Sequence, residues 1–204
     1  MKKITFYFLA LIAHSTFGQT AKVSSKYGSK DPVINQLMDF QDITAITLTL
    51  QAKELIGKYS LVKIKEFTNG KLSKTENIIS PEEGLAIQST PFTLRLFTET
   101  DKKNNILSIA FRANHFGTPK KEFLLKESKY SYVLHDLISA QKIKNLDLRK
   151  ETPIFIIMTP YVQSDGSASY CEVSGSEISP DQLGKKFNIP HYFIITLQFL
   201  GQIK

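Results

Sequence analysis

Thr152-Pro-Ile-Phe-Ile-Ile-Met-Thr-Pro160 is the stretch that decides the fold class. Its apolar run, Ile154 to Met158, is too short for a helix and rich in β-branched residues, so it reads as a strand. The run is continuous rather than alternating, which predicts a central strand covered on both faces. Pro160 cannot donate to a ladder and therefore limits pairing there or marks a bulge.

Working outward toward the C-terminus, Asp165-Gly166 turns the chain, Ala168 to Val173 returns, and His191-Tyr-Phe-Ile-Ile-Thr-Leu-Gln-Phe-Leu200 reads as a long last strand. Toward the N-terminus, Tyr130 to Asn145 reads as a strand running into a short helix, and Lys120 to Lys126 as a weaker strand. Phe92 to Phe97 and Ile106 to Phe111 flank the polar turn Asp101–Asn105 as a hairpin. Asn69-Gly70 joins Tyr59–Phe67 to Lys71–Ile79 and is a strong hairpin signal, because both central residues of a type I′ turn need positive φ. Ile46, Leu48 and Leu50 alternate with threonines as in a half-buried strand, and Asp31-Pro32 opens a short amphipathic helix expected to lay Val33, Ile34 and Leu37 on the core.

These segments give about nine or ten strands against two or three short helices. The spacing of the turns favours a mainly β protein, an antiparallel sandwich or open barrel, over a parallel α/β sheet. Ile79-Ser-Pro81 and Ile178-Ser-Pro180 lie 99 residues apart in the sequence, each after a hairpin signal and before an apolar strand. They suggest an internal duplication with halves at about 43–127 and 128–204 within one domain, 31–204.

Met1–Gly18 has the build of an export signal: Lys2 and Lys3, an apolar run from Ile4 to Ala13, then Thr16 and Gly18 as small residues before a cleavage point at Gln19. The apolar run is well short of the ~20 residues of a transmembrane helix, so no membrane span is expected. Gln19–Lys30 is polar and reads as a flexible leader of a periplasmic or secreted protein. The export signal and lysine-rich β body resemble those of envelope proteins of diderm bacteria.

The formal charge of +7 becomes +5 without Lys2 and Lys3, and the basic residues never cluster into a run. Nucleic acid is therefore not an expected partner. The single cysteine, Cys171, excludes an internal disulfide. It lies in an alternating segment and reads as a buried strand residue.

No metal or cofactor is expected, because His115, His135 and His191 show no ligand spacing and no glycine loop cradles a phosphate. Tyr161, Tyr170 and Tyr192, with Asp165 and His191, are the ligand-binding candidates, since tyrosine offers a large contact area and a polar tip at low entropic cost. The expected function is a non-enzymatic envelope protein that binds a protein partner or a glycan. The alternative is a periplasmic hydrolase built from Asp165, Ser167 and His191 or from a carboxylate pair. A third arrangement, a surface assembly, would use the last strand as a free edge.

Overall fold

The computed structural model describes residues 19–82, 85–114 and 116–201. The expected export signal and His115 lie outside them. The chain runs through β1 (Thr20–Tyr27), α1 (Pro32–Phe40), β2 (Ile43–Gln51), β3 (Tyr59–Thr68), β4 (Lys71–Ile79), β5 (Phe92–Asp101), β6 (Ile106–Ala113) and β7 (Lys121–Leu124). It continues through β8 (Val133–Asp136), α2 (Leu137–Ala140), β9 (Asn145–Asp147), β10 (Thr152–Met158), β11 (Tyr161–Val162), β12 (Ala168–Ser169), α3 (Cys171–Ser174), α4 (Leu183–Lys186) and β13 (His191–Leu200).

The strands form a six-stranded sheet ordered β7-β6-β5-β2-β1-β9, a five-stranded sheet ordered β4-β3-β13-β10-β8, and the small hairpin β11-β12, every pairing antiparallel. Neither large sheet closes into a barrel among the described residues. One apolar cluster joins their facing sides: Ile46, Leu48 and Leu50 of β2 and Leu94 and Leu96 of β5 meet Phe193, Ile195 and Leu197 of β13. Two edge-on aromatic pairs bridge the sheets, Phe92 to Phe199 at 6.3 Å and Phe123 to Phe193 at 5.9 Å between ring centroids, a favoured arrangement of ring quadrupoles. Lys121 Nζ donates to the Asn77 carbonyl at 2.8 Å, tying the β7 edge of one sheet to the β4 edge of the other.

The apolar run that defines the fold behaves as its composition dictates. Ile154, Phe155 and Ile157 enter the shared core, while Ile156 and Met158 enter a second cluster on the opposite face of the five-stranded sheet. A register shift between Pro153 and Phe155 accounts for two adjacent residues facing one way.

Several expectations need correction. Gln19–Lys30 is no flexible leader: Lys22 to Tyr27 pair with β2, and Thr20 to Lys22 with β9, making β1 an interior strand. Its polar serines and lysines face outward, while Ala21 and Val23 are buried. The polar side of that alternation is what reads as leader composition.

The last strand is not an edge either, since β13 lies between β3 and β10 and pairs with β3 from His191 to Leu200. That pairing crosses the proposed boundary between halves, so the halves interleave rather than fold apart. The repeated Ile-Ser-Pro segments also feed different sheets, β5 in one and β13 in the other.

Helix α1 forms where Asp31 and Pro32 predict, with the Asp31 carboxylate accepting the Val33 N–H at 2.8 Å. Its orientation is the reverse of expectation. Val33, Ile34, Leu37 and Phe40 are all exposed, and Asn35 and Met38 face the protein. Asn35 sets this roll by accepting from the Ser29 N–H at 2.7 Å and donating to the Ser29 carbonyl at 3.0 Å. No described helix is long and apolar enough to cross a membrane.

Candidate binding cleft

On the face of the five-stranded sheet turned away from the shared core, segment 178–187 rises as a wall and leaves a cleft of about 660 Å³. The floor comes from β3 and β13. Lys63 and Lys65 alternate with the buried Ile64 along β3, so both amines emerge on the cleft side. Glu151, just before β10, receives Lys65 Nζ at 2.5 Å and Lys63 Nζ at 2.9 Å. Burial works to raise the Glu151 pKa, but the two lysines and Thr196 outweigh it and hold the carboxyl down to about 2. The group is thus a fixed anion at neutral pH, the form that accepts hydrogen bonds and donates none.

The wall is held from behind by Tyr192. Its ring is fully buried and stacks on Phe67 at 4.8 Å with an interplanar angle of 7°. Its hydroxyl donates to the Asp181 carbonyl at 3.2 Å and accepts the Gly184 N–H at 3.3 Å. The turn predicted at Asn69-Gly70 has positive φ at both residues, 51° and 69°, and docks against α4. A Cβ on Gly184 would lie 2.7 Å from Tyr192 Cε1 and 3.0 Å from Gly70 Cα, so close backbone approach requires glycine. Asp181, Gln182 and Lys185 then present polar groups over a lining that includes Leu72, Pro153 and Pro180.

The five sequence candidates fall elsewhere. Tyr192 supports the cleft from within the second apolar cluster and does not line it. Tyr161 packs edge-on against Phe187 at 5.3 Å, and Tyr170 stacks on His135 at 5.3 Å while its hydroxyl donates to the Ser131 carbonyl at 2.8 Å. Both are partly buried packing residues of the same cluster. Asp165 is exposed at the β11–β12 hairpin, where it accepts the Ser167 N–H at 2.8 Å.

His191 is fully buried, with both ring nitrogens occupied. Nε2 lies 3.0 Å from a Glu66 carboxylate oxygen and Nδ1 2.8 Å from the Tyr132 hydroxyl. A carboxylate can only accept, so Nε2 carries the proton and Nδ1 accepts from Tyr132. The Asp165, Ser167, His191 arrangement is therefore not formed.

Cys171 is exposed rather than buried. The alternating segment stops at Ser169 and α3 begins, with the Ser174 N–H on the Tyr170 carbonyl and the Gly175 N–H on the Cys171 carbonyl. Among the described residues no group of three or more His, Cys, Asp or Glu could hold a metal ion.

Sequence reading passed over Lys65 and Glu151 because outward lysines on a strand look like solubilising residues, and over Asp181 because Ser-Pro-Asp-Gln was absorbed into the repeat. Their usable signal was the proline-opened turn just before the last strand, which had to pack somewhere beside it.

The chain matches no family, no curated protein and no solved structure.

Proposed function

We propose that this chain is an exported, non-enzymatic binding protein of the bacterial cell envelope, a β-sandwich that holds a short segment of a partner protein in the cleft beside Glu151. The observation that carries this reading is the clamped carboxylate. A glycosidase-type general acid needs a raised pKa, whereas Lys63 and Lys65 hold Glu151 at about 2. The cleft thus offers fixed charges, suited to recognition.

A peptide fits better than a sugar because the aromatic pair Phe67 and Tyr192 is buried and offers no stacking face, while the exposed apolar residue is Leu72. Extended peptides supply both apolar side chains and charges to such a surface. The sandwich reading rests on the cluster shared by the two sheets. Export rests on the build of Met1–Gly18, and periplasmic or secreted localisation follows from it.

The test is selection of a peptide display library on residues 19–204, followed by affinity measurement on Leu72→Asp and Lys185→Glu variants. Binders that weaken tenfold or more on both variants support the reading. Binders indifferent to both, or binding confined to a glycan array, would overturn it.

A further inference from the structure

The largest apolar feature on the surface is not the cleft but α1. Phe40 is 87% exposed and Val33 67%, with Ile34 and Leu37 completing one stripe. Spacings of three and four residues place all four on one side of the helix. The cleft lining includes no α1 residue, so this surface is independent of the site proposed above.

The outward stripe is held in place. Asn35 makes two hydrogen bonds to Ser29, and a Cβ on Gly28 would lie 2.6 Å from Asn35 Oδ1. Rolling the stripe inward would break both bonds and push the Asn35 amide into water. A helix of nine residues is unstable alone, yet this one is anchored with its apolar side out. Clusters of exposed large hydrophobics on a rigid element mark interaction surfaces.

We propose that α1 is a self-association surface that pairs with α1 of a second copy of this chain, antiparallel across a twofold axis. Charge decides the occupant. Lys26 and Lys30 lie on the N-terminal side of the stripe, and Asp39 and Asp42 on the C-terminal side. Among the described residues none of these four forms an ion pair within the chain.

A twofold axis through the middle of the stripe places Phe40 over the second copy's Val33 and Ile34. It also brings Lys30 toward the second copy's acidic end, twice over, as an isologous contact requires. An anionic membrane is the poorer occupant, because α1 contains no lysine or arginine and ends in acid. A helix of nine residues is about 14 Å long, so the contact is smaller than the ~800 Å² per partner of a stable interface. The dimer is therefore weak and seen at high concentration.

The experiment is sedimentation equilibrium of residues 19–204 from about 10 μM to 1 mM, with circular dichroism confirming the fold of each variant. Phe40 is almost wholly exposed, so Phe40→Asp leaves the fold intact and is expected to weaken dimerisation at least tenfold. Lys30→Glu is expected to weaken it several-fold. Combining it with Asp39→Lys and Asp42→Lys restores association, a result that antiparallel pairing predicts and simple stickiness does not. A monomer throughout this range, a dimer insensitive to Phe40→Asp, or a Phe40-dependent attachment to phosphatidylcholine vesicles in place of dimerisation would overturn the proposal.

Discussion

His191 and Glu66, 125 positions apart in the chain, meet at 3.0 Å where β13 pairs with β3, with Tyr132 closing the other side of the imidazole. Burial pushes the His191 pKa down, against the Glu66 carboxylate that favours the charged ring. Burial lowers His135 as well. A histidine whose folded pKa lies below its unfolded value binds protons preferentially in the unfolded chain. Stability is then fully present above pH ~6.5, the ordinary histidine value, and falls as the solution is acidified through that region.

Urea unfolding between pH 7.5 and 5 is expected to show a declining midpoint with an unchanged slope. His191→Gln should flatten part of that decline, leaving the share due to His135. At pH 7.5 it should cost about 1–3 kcal/mol, since Glu66 and Tyr132 lose a partner in a buried setting. A pH profile identical to the unsubstituted protein would show that the imidazole does not carry the effect.

Glu151 gives a second pH dependence, of opposite residue type and in a lower window. Its pKa of about 2 lies below the ordinary carboxylate value because Lys65 and Lys63 outweigh the burial that opposes them. The contribution is present above pH ~4.5 and is lost as the pH falls toward 2. The group is partly exposed, so screening limits the effect to about 1 kcal/mol. Glu151→Gln should remove that part of the acid transition, and a titration of the side-chain carboxyl by NMR would locate the pKa directly. A value near 4.5 would refute the clamp.

The cleft wall depends on the Tyr192 hydroxyl. Tyr192→Phe keeps the ring on Phe67 and removes the two bonds to segment 178–187, so about 1 kcal/mol is expected, with faster amide exchange at Leu183–Lys186. Tyr192→Ala also empties a fully buried site and should cost roughly 3–5 kcal/mol. Gly184→Ala has no room beside Tyr192 and Gly70 and should also loosen the wall. Unchanged exchange in Tyr192→Phe would mean that the wall is held by Leu183 and Phe187 packing alone.

How far these features were legible in the sequence follows from where their causes lie. Ile154–Met158, the Asn69-Gly70 turn and the Asp31 cap are local: burial on two faces, positive φ and an orphan N–H each act within a few residues. Those readings hold. The roll of α1 was misjudged because Asn35 overrides the apolar stripe through Ser29, a bond that hydrophobic periodicity does not see. Glu151 and Lys65 are 86 positions apart in the sequence, and Tyr192 reaches the wall only because β13 lies beside β3. The binding site is thus a product of strand order, and strand order is the part that spacing and composition leave open.

Cys171 offers a direct check on the helical break after Ser169. Buried in a strand, its thiol would react with a disulfide reagent only on unfolding. Exposed at the start of α3, it should react in the native protein at a rate within about tenfold of the unfolded chain, as an accessible thiol does. Complete protection without denaturant would place the segment back in a strand.

The first strand supplies the last prediction. If Gln19–Lys30 were a flexible leader, a chain beginning at Asp31 would fold and melt like one beginning at Gln19, because leaders contribute no buried surface. In the structure β1 lies between β2 and β9, and the Gln19 carbonyl accepts the Leu148 N–H at 2.8 Å. Deleting 19–30 strips a partner from both neighbours, exposes Leu50 and Leu146, and leaves the Asp136 N–H without the Tyr27 hydroxyl it meets at 3.0 Å. Two vacated ladders exceed the ~5–15 kcal/mol that holds an ordinary domain together. The chain 31–204 is expected to lose its near-ultraviolet dichroism and its cooperative transition, while 19–204 retains both. For an exported protein this also confines signal cleavage to a narrow window: cleavage before Gln19 leaves β1 whole, and each residue removed beyond Thr20 shortens an interior strand. Intact-mass analysis of the secreted form should therefore begin at Gln19, and a mature terminus beyond Tyr27 would contradict the role given to β1.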